Sequence, residues 1–288
     1  MDRAYLVVVS EADLVAPRVR AEWGTLPATG EHLEGAAVRE LGTDLFVVNR
    51  PAPHIHDERL DLRLPSRLRA RRPTLVFPSI HRSQENVECL TTHALGNLAT
   101  AAEVGGRART VCPTNPRAMT GVLRRLAELG EPEGLKATLE ATHHGPELAL
   151  PAFFVEVGFG TLAEPPTAAV RVLASVIREI PSDPEDRVAF AVGGGHYAPH
   201  FTELALKRRW AFGHIVSRHS LQHLDQETAK AAYAATAEAE GILFARAQDA
   251  EHPALAGLAP RLRDGAAGLR STERDRNDAT RAAGPSGT

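Results

Sequence analysis

Three separate apolar runs in this chain end in a turn that carries histidine, and that recurrence constrains the fold more than any other feature. Leu75-Val76-Phe77 runs into Pro78-Ser79-Ile80-His81-Arg82-Ser83. Leu139-Glu140-Ala141-Thr142 runs into His143-His144-Gly145-Pro146. Val188 to Val192 runs into Gly193-Gly194-Gly195-His196-Tyr197-Ala198-Pro199. Short apolar runs bounded by Gly and Pro read as buried strands. In α/β sheets, ligands bind in the crevice at the carboxyl ends of the strands. A single turn of this kind is equally well a structural turn. The repetition is what points to a metal or acid/base site, because core histidines need no such arrangement.

The rest of the chain predicts alternating strands and helices. Tyr5 to Val9 reads as a strand, Ala12 to Glu22 as a helix and Thr25 to Glu34 as a loop. Ala37 to Leu41 and Leu45 to Val48 read as a hairpin around Gly42-Thr43-Asp44. His54 and His56 sit in a Pro-rich loop and are expected to be solvated. Glu58 to Arg72 reads as a helix kinked at Pro65, with Arg59, Arg63 and Arg67 on one face. That face is either solvated or a phosphate-contacting patch. Ser79 to Asn97 has little periodicity and reads as a long loop, of a length that is usually functional. Asn115-Pro116 opens a helix that Gly130 ends. Phe153 to Val157 is a strand with Glu156 embedded in it, and a carboxylate buried there needs a partner. Helices are expected over Pro165 to Ile180, Phe201 to Arg209, Thr228 to Glu240 and His252 to Arg263. Trp210 to Val216 and Gly241 to Ala245 read as strands. The alternation implies one three-layer α/β domain with a mixed central sheet over residues 1–263. Residues 264–288 offer almost nothing to bury and read as a disordered tail.

Composition narrows the function classes. A net charge of −3 leaves no global basic footprint, so an RNA partner needs a local patch. Cys89 and Cys112 form no C-x-x-C pair, which argues against a disulfide framework or a thiolate zinc site. Met1 to Ser10 is wrongly flanked for a signal peptide, and no apolar stretch approaches a membrane span. A cytoplasmic protein is expected. The chain does hold 13 histidines. His81, His93, His143, His144, His196 and Glu156 supply enough nitrogen and oxygen ligands for one or two ions, zinc first among them. Ser79, Ser83, Thr91 and Thr92 are expected to orient ligands or touch substrate. Glu140 is a general base or a support for a ligand, and the amides near Gly194 and Gly195 are candidate oxyanion donors. His196 is either a ligand or the catalytic base. A metal-free mechanism with His81 or His144 as base stays open. No G-x-S-x-G elbow is present, which argues against a serine hydrolase.

Several of these stretches occur together in one order. They are Ser79-Ile80-His81-Arg82-Ser83, Leu90-Thr91-Thr92-His93, Gly96-Asn97, Glu140 to Pro146, Pro151 to Gly158, Gly193 to Pro199 and Ala211 to Ile215. That order resembles the archaeal and plant type of D-aminoacyl-tRNA deacylase over roughly residues 4 to 260. The resemblance implies a fold related to peptidyl-tRNA hydrolases and phosphorylases. It also implies zinc, and hydrolysis of the ester between a D-amino acid, N-modified forms included, and the tRNA 3′ end. With it come substrate-contacting roles for Ser79, Ser83, Thr91, Thr92, Asn97, Gly194, Gly195, Tyr197 and His214, and a monomer or small homo-oligomer. Two alternatives stand beside it. His144-Gly145-Pro146-Glu147 has the H-x-x-E spacing of carboxypeptidase-type zinc sites, which suits a metal-dependent amidase or esterase of a small acylated substrate. A non-catalytic RNA-binding module would purify free of metal.

Overall fold

The computed structural model describes residues 4–82 and 88–264. Ser83 and nearly all of the predicted tail lie outside the described residues. In chain order the strands of the first half are β1 (Tyr5–Ser10), β2 (Ala28–Leu33), β3 (Ala36–Gly42), β4 (Leu45–Arg50), β5 (Thr74–His81), β6 (Glu88–Ala94), β7 (Gly96–Asn97) and β8 (Thr110–Val111). Then follow β9 (Ala137–Leu139), β10 (Ala152–Phe159), β11 (Arg187–Val192), β12 (Trp210–Val216) and β13 (Ile242–Phe244). The helices are α1 (Ala16–Glu22), α2 (Ser66–Ala70), α3 (Pro116–Gly130), α4 (Thr167–Glu179), α5 (Pro199–Lys207), α6 (Arg218–Leu221) and α7 (Gln226–Ala235).

Eight strands form one mixed sheet in the order β2-β3-β4-β1-β5-β10-β6-β9. Its centre, β4-β1-β5-β10, is parallel, and β6 runs antiparallel to β10. The central strands read as continuous apolar runs because both faces are covered. Val7, Val9, Val76, Phe153 and Val155 pack under α1, α3 and α4. Leu6, Val8, Leu75, Phe77 and Phe154 face the opposite way, against α2 and the surrounding loops. Each fully buried Phe or Leu contributes roughly 1.5–3 kcal/mol to that core.

The last three strands do not join this sheet. They form a separate parallel sheet in the order β12-β11-β13, covered by α3 and α5 on one side and α6 and α7 on the other. Residues 140–142 stitch the sheets together. Glu140 N–H donates to Thr92 O at 3.1 Å, while Ala141 and Thr142 donate to His196 O at 2.7 Å and Ile215 O at 2.9 Å.

Several expectations change. Ser79 to Asn97 is not one loop: β5 continues to His81, and Glu88–Ala94 forms β6. Its Thr and His side chains break the apolar pattern, but pairing with both β10 and β9 holds it as a strand. Residues 25–34 contain the edge strand β2. The Arg-rich segment splits at Pro65 into a 3-10 turn over Leu60–Arg63 and the short α2. Arg63 there pairs with Glu34 and Asp57, so the three arginines do not form a free phosphate-contacting row. His54 is not solvated: it lies buried in a 3-10 turn, edge-on to Phe77 and Phe154. Residues 252–263 hold only a short 3-10 turn at Pro253–Leu255, because Gly257 and Pro260 interrupt any helix.

Candidate metal centre and cavity

Strand register builds the site. Side chains alternate along a strand, so Leu75, Phe77, Ser79 and His81 share one face of β5. Phe154 and Glu156 share the same face of β10, and Thr91 and His93 that of β6. Glu156 lies opposite Ser79 on one side and Thr91 on the other. That face is apolar at Leu75, Phe77 and Phe154 and turns polar toward the carboxyl ends of β5 and β10. Residues after β9 close over it with Glu140, His143 and His144. The turn after β11 adds His196 and Tyr197.

Three histidines share one hydrogen-bond pattern. His93 Nδ1–H donates to Ala94 O at 3.1 Å, His143 Nδ1–H to Ala141 O at 2.9 Å and His144 Nδ1–H to Gly145 O at 2.7 Å. Each bond sets the tautomer and leaves Nε2 as the free nitrogen. The rings crowd together, with His93 and His143 centroids 4.0 Å apart and His143 and His144 centroids 4.4 Å apart. Ligand atoms of His93, His143 and His144 lie within 4.8 Å of one another, and so do those of His81, Glu140 and His196 and those of His93, Glu140 and Glu156. His93 Nε2 is buried with no hydrogen-bond partner. Buried polar atoms left this way cost about 1–3 kcal/mol each, more when charged. Lone pairs of this kind, in a set of imidazoles and carboxylates, fit a divalent ion such as zinc.

The carboxylates set the electrostatics. His81 Nδ1 lies 3.1 Å from Glu140 and 3.2 Å from Glu156. Burial alone would lower the His81 pKa, but hydrogen bonds to Glu140 and then Glu156 outweigh it and push it up to about 12. An imidazolium that keeps its proton so firmly is a poor base. His93 is also raised, since Glu156 overcomes its burial. Burial would raise Glu140, yet His196 and His81 hold it well below the usual carboxylate range. Burial, reinforced by charge on His93, pushes His144 down to about 4 and His143 well below its ordinary value. His196 Nε2 lies 2.8 Å from Glu140 Oε2, and its side chain is 44% exposed at the rim.

Beside the cluster lies a cavity of ≈ 340 Å³. Ser79, His81, His143, His144, Phe154 and Glu156 line one part of it, and Ser10, Asp13, His54, Ile55 and Val104 the other.

A sequence model of the family described as D-aminoacyl-tRNA deacylase matches residues 69–259, the span that holds every residue of the cluster. The chain belongs to that family. It is 42% identical to the D-aminoacyl-tRNA deacylase of Methanosphaerula palustris, over 64% of this chain and 41% of that protein. It is 32% identical to the one from Methanosarcina barkeri, over 76% of this chain and 74% of that protein. The chain therefore spans less than half of the first relative and about three quarters of the second. Among solved structures, a conserved protein of unknown function designated AF0625 superposes with a TM-score of 0.73 at 25% identity, over 85% of this chain and 86% of that one.

Against the family pattern, the structure brings His81, His93, His143, His144, His196, Glu140 and Glu156 together. Ser79 lines the cavity and donates to Asp13 Oδ2 at 3.1 Å. Tyr197 OH meets His81 Nε2 at 3.0 Å. Thr91 reaches the site face with its buried hydroxyl unbonded. Thr92 does not: it points to the α3 face, and its hydroxyl donates to Phe154 O at 2.8 Å. Asn97 is turned away as well, donating to Gly105 O at 2.9 Å and so holding the loop that carries Val104. Gly194 and Gly195 lie at the turn's open side, with empty space where a Cβ would sit. His214 is a core residue. It is fully buried, its Nε2–H donates to Cys112 O at 2.9 Å and its Nδ1 accepts from Thr142 at 3.0 Å. Glu147 pairs with Arg107 at 2.8 Å and joins none of the ligand groups, so the H-x-x-E spacing is accidental. Asp13 joins the cavity from the turn after the central parallel strand β1, where ligand sites form, and its place after that strand is its only signal in the sequence. Ile55 and Val104 carry no local signal.

Proposed function

We propose that this chain hydrolyses the ester joining a D-amino acid to the 3′ end of tRNA, with zinc assisting. Beyond family membership, one observation supports the reading: His93, His143 and His144 each commit Nδ1–H to a backbone carbonyl, leaving Nε2 toward a space shared with two carboxylates. Those three imidazoles would hold the ion, with Glu140 and Glu156 grouped with His93 as further oxygen donors. Bound zinc supplies Lewis-acid polarisation of the ester carbonyl and acidifies water. The chain's own residues do the rest. Glu140 orients the His196 ring through the 2.8 Å contact. His196, free at the rim, takes the proton from the attacking water and returns it to the departing 3′ oxygen. The amides near Gly194 and Gly195, on a turn with open space around it, suit the developing oxyanion. Tyr197 flanks the leaving nucleoside.

The same reading extends to a fold related to peptidyl-tRNA hydrolases and phosphorylases, a cytoplasmic setting, and a monomer or small homo-oligomer acting on the tRNA acceptor end. Among the described residues no helix is long and apolar enough to cross a membrane. The test is incubation with matched D- and L-aminoacyl-tRNA, with and without a chelator, alongside elemental analysis. D-esters should be hydrolysed and L-esters spared, with activity lost on chelation. Full activity at below about 0.1 equivalent of metal would leave the chemistry to His196 and the backbone amides alone.

A further inference from the structure

The cavity and the glycine-rich turn open on different sides of the cluster. His81, His143, His144 and Glu156 border the cavity, whereas Glu140, His196 and Tyr197 do not. His81 forms the partition: it lines the cavity, while its Nε2 meets Tyr197 OH at 3.0 Å. An ester whose carbonyl lies at the cluster therefore has its acyl half on one side and its alcohol half on the other. We propose that the cavity receives the side chain of the amino acid, and that Val104 and Ile55 set the size it admits. The inference rests on the aminoacyl-ester reading above.

Volume and polarity agree. At ≈ 340 Å³ the cavity lies at the small end of ligand pockets, which begin near about 300 Å³. Phe154 forms its apolar floor, and Val104, 47% exposed, leaves an apolar side chain open at the mouth. Asp13 and Glu156 place two carboxylates in the wall, with Arg82 and His81 beside them. Asp13 is held in place by Val15 and Ala16 amides at 2.7 and 2.8 Å and by Ser79 and the Ile80 amide, each at 3.1 Å.

The wall is also stiff. Glu58 accepts from Gly106 N–H and from Glu147 N–H, each at 2.6 Å, and Val104 O accepts from Gly145 N–H at 3.1 Å. Gly105 packs so closely on Ile55 that an added Cβ would lie 1.8 Å from Ile55 O. A wall that cannot swell acts as a size sieve.

The test compares kcat/KM for D-phenylalanyl- and D-alanyl-tRNA in the metal-loaded full chain and in Val104→Trp and Ile55→Ala. Binding of free D-phenylalanine is followed by calorimetry in parallel. Val104→Trp should lower the phenylalanyl-to-alanyl ratio by about tenfold or more and weaken D-phenylalanine binding, while Ile55→Ala should raise the ratio. Metal content should match the parent in both. Two results overturn the pocket: an unchanged ratio in both variants, or an equal fall for both esters with a raised KM, which would place the nucleoside in the cavity. A parent that binds D-phenylalanine, loses it in Val104→Trp and hydrolyses neither ester would overturn the deacylase reading and leave the pocket standing. Neither binding nor hydrolysis by the parent would overturn both.

Discussion

The large sheet and the small sheet both send side chains to the histidine–carboxylate cluster, on opposite terms. From the large sheet come His81, His93 and Glu156, with side chains only 3%, 0% and 4% exposed, on strands paired along both edges. From the small sheet comes a turn whose His196 is 44% exposed and whose Gly194 and Gly195 leave open space where a Cβ would sit. Donors fixed by backbone hydrogen bonds suit the holding of an ion, which needs preset geometry. A histidine at an open rim suits proton transfer, which needs contact with water and substrate. On the proposed mechanism, holding and transfer are divided between two sheets, joined through Glu140.

Glu140→Ala strikes both halves at once and should have the largest effect. Hydrolysis should fall by about a thousandfold, bound metal should be lost, and stability should drop by about 3 kcal/mol as His81 loses one of its two carboxylates. Retained metal would show that the two halves are independent. His196→Ala touches the rim half alone. It should lower turnover by about a hundredfold, leave metal content near the parent value, and cost no more than about 1 kcal/mol. Metal loss on this change would put His196 among the holding ligands.

His214 sharpens the contrast from the core side. Burial pushes its pKa down to about 4, against about 6.5 unfolded. The unfolded chain then binds more protons, so this stabilisation is complete above about pH 6.5 and fades as pH falls toward 4. The loss between pH 7 and pH 5 should be about 2 kcal/mol, and denaturant melts of His214→Gln should show a correspondingly flatter pH dependence. Equal slopes in parent and variant would dismiss the assignment. The smallest effects separate neighbouring glycines. Gly193 has φ of +106°, and an added Cβ would lie 2.2 Å from Asp249 Oδ2, so Gly193→Ala should cost about 1.5 kcal/mol. Gly195→Ala, facing open space, should stay within about 0.5 kcal/mol. Equal costs would mean that the turn is not anchored through Gly193.

The α/β class, the capped helix α3 and the histidine-bearing strand ends were legible in the residues, because periodicity, Asn-Pro caps and Gly stops act over a few positions. Glu156 was legible too, since a carboxylate in an apolar strand signals a partner. The strand β6 was not. Its Glu88-Cys89-Leu90-Thr91-Thr92-His93-Ala94 shows no clean alternation, and pairing with strands distant in sequence makes it a strand.

What the sequence determined by itself is therefore local: which segments form strands and helices, and which turns carry titratable groups. Tertiary structure alone decided which of those groups meet. His93 and His214 look alike in sequence, each a histidine among apolar and small residues. One has its free nitrogen beside Glu156, 3.7 Å away, and the other donates to a backbone carbonyl in the core. The physical reason is register. A one-residue shift on a strand moves a side chain to the other face, and what waits there comes from residues far away along the chain. The cavity follows the same rule, since Asp13, Ile55, Val104 and Phe154 meet only where four separate segments converge.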